Sequence, residues 1–108
     1  MNAELYSRPL SEAAREALID FVTAYAESMT TALVDEKAEI AKQKAIACLQ
    51  TDIDILVFVA TVSAMFQGSG KALLLQMMHG LATPREAAQT IVQIMERAIA
   101  IDKAGRPQ

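Results

Sequence analysis

Apolar residues recur at three- and four-residue spacing through Leu18, Phe21, Val22, Tyr25, Met29, Ala32 and Leu33, which is one face of an amphipathic helix. The helix is expected to begin behind Pro9, with Ser11 as N-cap and the acidic Glu12 in its first turn. From Asp35 to Lys44 the pattern turns polar, while Ile40, Ala41, Ala45, Ala47 and Cys48 keep a narrow apolar stripe. This reads as the first helix continuing, or bending near Val34, with Glu39 and Lys42 supporting each other on a solvated face. No Gly or Pro occurs between Pro9 and Gly68, so the helices there are joined by minimal turns.

The pattern then changes character. From Ile55 to Gly70 no side chain is charged, and up to Pro84 only Lys71 and His79 interrupt the apolar and neutral residues. Thr51 and Asp54 form a T-x-x-D variant of the capping box, and Asp52 and Asp54 suit the positive end of a helix dipole. The β-branched run from Ile53 to Val62 would also suit a buried strand. The chain offers no second strand to pair with it, so its backbone groups would be orphaned. A helix over 53–67, apolar nearly all round, is therefore expected. Ile53, Leu56, Val57 and Ala60 are assigned to its core side. Ile55, Phe58, Val59, Val62 and Phe66, extended by Leu74 and Met78, are assigned to contact with a second subunit or partner.

Gly68-Ser69-Gly70 breaks the chain, and Ser69 is expected to cap a short helix from about Lys71 to His79, with Gly80 at its C′ position. Thr83-Pro84-Arg85-Glu86 is a full capping box with proline at the first helical position. The last helix is expected to turn Ala87, Ala88, Ile91, Ile94, Met95, Ala98 and Ile101 inward. Gln89, Gln93, Glu96, Arg97 and Lys103 fall mostly outside that face, and Lys103 and Arg106 suit the helix's C-terminal end. The expected architecture is all-α: a single domain over 1–108, a small bundle of four or five helices, with frayed tails at about 1–9 and 104–108. A helix apolar on every side needs neighbours on every side, so self-association is expected to complete the bundle.

Composition agrees with a packed core. Hydrophobic residues are 53% of the chain, but aromatics are only 5% and Trp is absent, so Ala, Leu, Ile, Val and Met must fill the interior. Met29, Met65, Met77, Met78 and Met95 are suited to filling irregular gaps. Net charge is −3, and it is uneven: residues 1–54 carry net −5 and residues 55–108 net +2. The acidic balance opposes a phosphate-binding surface, and no nucleic-acid partner is expected. The single Cys48 excludes an internal disulfide and fits a reducing compartment. The first ten residues lack the basic start and apolar run of a secretory signal, so a bacterial cytoplasm is the expected setting.

The candidate chemistry is sparse. Gly68-Ser69-Gly70-Lys71 is not a phosphate loop: Met65 and Ala72 stand where the motif needs Gly and Ser or Thr. His79 is the only histidine, and Gln76 occupies the place of the Glu in a Glu-x-x-His metal motif. Cys48 falls on an apolar stripe and reads as an inert thiol. Glu12, Glu16, Asp20 and Glu27 follow an exposed flank rather than converging as paired acids. The segments 72–80 and 84–101 resemble a helix-turn-helix in outline, but Arg85, Gln89 and Gln93 are too few to read DNA. The segment 53–66 is shorter than the roughly twenty apolar residues of a membrane span. No catalytic, metal or cofactor residue is assigned, and no cofactor is expected. The chain reads as a non-catalytic helical adaptor or regulator, homodimeric and acting through protein–protein contact. The alternatives are a helical bundle binding a small apolar ligand or lipid, and a membrane-associated helical hairpin.

Overall fold

In a computed structural model, which describes residues 10–29 and 35–105, the chain forms five helices. They are α1 (Glu12–Ser28), α2 (Asp35–Ala47), α3 (Asp52–Gln67), α4 (Ser69–His79) and α5 (Pro84–Gly105). There is no strand among the described residues, and the all-α reading holds.

α1 is the central element. It packs most extensively on α2 and α5, so its burial spreads beyond one face. Leu18, Phe21 and Val22 are buried as expected, and Ala14, Ile19, Ala24 and Ala26 join them. Tyr25 and Met29 are half-buried against the same core. α1 and α2 lie side by side, which excludes one continuous helix through Asp35. Ala32, Leu33 and Val34, like Pro9, Arg106 and most of the expected frayed tails, fall outside the described residues. α2 rests on α1 through Ala45, Ala41 and Cys48, and Glu39 pairs with Lys42 at 3.3 Å on its open side. α5 remains helical through Ala104 and Gly105, which the sequence reading assigned to a tail.

Both capping boxes form. Thr83 N donates to Glu86 Oε1 at 2.9 Å, and Glu86 N donates to Thr83 Oγ1 at 3.1 Å. At α3, Asp54 N donates to Thr51 Oγ1 at 3.0 Å and Thr51 N donates to Asp54 Oδ2 at 3.2 Å. Asp54 does more than cap. Its side chain is fully buried and also accepts from Gln50 N at 2.9 Å, Ser11 Oγ at 3.0 Å and Ser11 N at 3.0 Å. Ser11 is itself the α1 N-cap, so one carboxylate joins the starts of α1 and α3. Burial pushes this carboxyl up, but the hydrogen bonds from Ser11, Gln50 and Thr51 outweigh it and hold the group below its ordinary range.

The corner between α3 and α4 uses its two glycines differently. Gly68 takes a left-handed φ of 97° and ends α3. Gly70 is buried against α3, and a β-carbon there would collide with the Met65 methyl. Ser69 is the first residue of α4 and makes no side-chain cap; Gly68 holds the N-cap position instead. At the other end of α4, Gly80 has an ordinary φ of −83°, and Leu81 takes the left-handed position with φ 75°. The reason is visible in the hydrogen bonds: Ala82 N donates to Met77 O and Leu81 N to Met78 O, a Schellman closure centred one residue later than expected.

The inward faces of α3 and α5 also differ from expectation. α3 buries Asp54, Val57, Thr61 and Met65, whereas Leu56 is 44% exposed. α5 buries Ala87, Ala88, Ile91, Val92 and Glu96, with Met95 and Ile99 half-buried; Ile94, Ala98 and Ile101 are exposed. Glu96 was expected outside but is fully buried, because Arg15 on α1 meets it at 3.3 Å.

Replacing Asp54 with Asn turns one acceptor oxygen into a donor; with the retained oxygen facing Gln50, Thr51 and the Ser11 hydroxyl, the new NH2 faces the Ser11 amide. The loss expected at neutral pH is ~2–3 kcal/mol, measured by urea unfolding. A carboxyl whose folded pKa is lowered contributes fully above its unfolded value and loses that contribution as pH falls through the folded one. The gap between parent and variant should therefore narrow below pH ~4. Leu81 is 91% exposed, so Leu81→Gly removes no packing. It should raise stability by about 1 kcal/mol in the same measurement, by relieving the left-handed backbone.

Candidate interaction surface

α3 is almost uniformly apolar, so one side of it is left in water whichever way the helix turns. With Asp54, Val57, Thr61 and Met65 inside, the open side carries Ile55 (48% exposed), Leu56 (44%), Val59 (55%) and Phe66 (68%). Single exposed apolar residues are ordinary, but four large ones on one helix face, uncharged from Ile55 to Phe66, form a patch. Of the residues assigned to contact from the sequence, Ile55, Val59 and Phe66 stand in this patch. Phe58, Val62 and Met78 are half-buried at its edge, packed against the core. Leu74 does not belong to it: the side chain is fully buried, because α4 presses its Gly70–Leu74 side onto α3 and α5. Leu56, assigned to the core from the sequence, belongs to the open face.

Phe66 is the largest member and is held in place. Its ring meets Tyr25 edge-on at 6.3 Å between centroids, with the planes at 81°. Tyr25 is fixed in turn by Phe21 at 6.5 Å and by a long hydrogen bond from its hydroxyl to Met65 O at 3.5 Å. The exposed ring is thus positioned by α1 without being covered.

On α4 the exposed positions are mixed: Lys71, Ala72, Gln76 and His79 stand in water together with Leu73 (36% exposed) and Leu75 (39%). Among the described residues no single helix is long and apolar enough to cross a membrane. α3 and α4 pass that test only together, bent by 77° at Gly68.

A concavity lies between α1 and α2, about 570 Å³ in volume. Ala13, Ala17, Ile40, Ala41 and Cys48 line it with apolar surface, while Glu16 and Asp20 stand on one wall and Lys37 and Lys44 on the other. Arg85 reaches both acids, donating to Glu16 Oε2 at 2.9 Å and Asp20 Oδ1 at 3.0 Å. The Asp20 and Glu16 carboxylates hold that guanidinium more firmly protonated than usual. Among the described residues no three His, Cys, Asp or Glu side chains are placed to hold a metal ion. His79 is exposed at the end of α4, and Cys48 is a half-buried free thiol.

No protein-family model matches the chain, and no curated protein or solved structure matches it.

The division between patch and core has a direct consequence. Leu74→Ala should destabilise the fold by ~3 kcal/mol. Val59→Ser should change it by no more than ~0.5 kcal/mol at high dilution. Urea unfolding of both variants checks the contrast.

Proposed function

We propose that this chain is a non-catalytic interaction protein that works as a homodimer through the open face of α3, in the reducing environment of the cytoplasm. The observation that supports it is the uncharged patch of Ile55, Leu56, Val59 and Phe66, whose largest ring is already fixed by Tyr25. In a symmetric dimer the same patch is buried from both subunits. A patch without charge puts no unpaired ion into that contact. One helix face is small beside the roughly 800 Å² per partner of a standard interface, so the dimer should dissociate on dilution.

Light scattering on a size-exclusion column should give a dimer mass that falls as concentration falls. Ile55→Asp or Val59→Asp should then give a folded monomer with unchanged helical circular dichroism, since both side chains are about half exposed. Either variant remaining a dimer, folded and soluble, would contradict the proposal.

The groove between α1 and α2 supports a second reading, in which the chain binds a small apolar molecule. Its volume and its alanine-lined floor suit such a ligand. Native mass spectrometry should then find a co-purifying compound, and Ala17→Phe, which fills the groove, should abolish its retention.

A further inference from the structure

We infer that the two copies of α3 meet antiparallel, across a two-fold axis near the level of Thr61; this rests on the dimer reading above. The open face has a regular spacing. Leu56, Val59, Ser63 and Phe66 alternate by three and four residues, the 3.5-residue period of a helix–helix seam. One step earlier the same stripe carries Asp52, which is exposed at the start of α3. One step later the chain turns away at Gly68, bent by 77°, and the seam ends.

Side-chain size and charge along this stripe decide its direction. A parallel pair in register would set Phe66 against Phe66 and Ser63 against Ser63, crowding one level and leaving the next underfilled. It would also bring the two Asp52 carboxylates together at one end. Reversing one helix pairs Leu56 with Phe66 and Val59 with Ser63, so that neither the largest nor the smallest residue meets its own copy. Each Asp52 then lies by the far end of the other α3, where Gln67 and Lys71 are both exposed. No acid occurs between Ile55 and Arg85, so Asp52 meets an amide and an ammonium rather than another carboxylate. The antiparallel dipoles of the two helices add to the same preference.

Two residues off the seam report the direction. In a Cys48→Ala background, Gln50→Cys and Gln67→Cys each take a nitroxide label, and pulsed electron–electron resonance reads the distance between subunits. At 1.5 Å rise per residue, the antiparallel pair separates the Gln50 labels by about 35 Å and the Gln67 labels by about 20 Å. A parallel pair brings both to roughly 10–20 Å, near the helix–helix spacing. The mass of each labelled sample is measured at the same concentration. A dimer with the long distance at 50 and the shorter one at 67 is the expected result. A dimer with short distances at both positions overturns the antiparallel arrangement and leaves the homodimer reading standing. A dimer with neither pattern places the contact away from α3, and a monomer at all concentrations removes both.

Discussion

The Asp54 carboxylate decides which way α3 faces. A helix that is apolar all round has no hydrophobic reason to prefer one rotation over another, since each buries similar surface. Asp54 breaks that degeneracy. An ionised carboxylate taken out of water needs several donors, and among the described residues it finds them in the amides of Gln50 and Thr51 and the amide and hydroxyl of Ser11. Once Asp54 points at the start of α1, helical geometry carries Val57, Thr61 and Met65 inward behind it. Leu56, Val59 and Phe66 are turned out by the same rotation. The candidate interaction surface is thus a consequence of one polar contact at the other end of the helix.

Thr61 shows the same logic on a smaller scale. It is fully buried on the inner face, yet its hydroxyl donates to Val57 O at 2.8 Å and so needs no partner from another helix. α1 has the complementary role of holding everything else. It carries Ser11 to Asp54, Arg15 to Glu96, Glu16 and Asp20 to Arg85, and Tyr25 to Phe66. The Arg15–Glu96 pair is desolvated on the Glu side, where losing the cation would leave a buried charge. The Arg85 bridges are exposed and contribute little to stability, though they fix how α5 starts against α1.

The fold was legible where local chemistry decides it. Ser11, Thr51 with Asp54, and Thr83 with Glu86 mark helix starts that the structure keeps, because caps depend on residues three apart. What escaped was long-range. The separation of α1 from α2 depends on their packing face to face, and an unpunctuated sequence hides it. The orientation of α3 is hidden because its apolar residues favour no side, and the Asp54 contact to Ser11 that selects one spans 43 residues. Glu96 was placed outside by its charge, although it follows Ala88 and Val92 at four-residue steps, and Arg15 was available to meet it. Leu81 breaks a local rule, taking the left-handed position beside an available glycine.

The account stands on the rotation of α3, and cysteine labelling reads that rotation residue by residue. In a Cys48→Ala background, single cysteines at Leu56, Val57, Val59 and Thr61 are reacted with a small thiol reagent at a dilution where light scattering gives the monomer mass. Fast labelling at 56 and 59 with protection at 57 and 61 is the predicted result. Protection at 56 with fast labelling at 57 or 61 would put a different face inside, and the open apolar stripe would no longer exist.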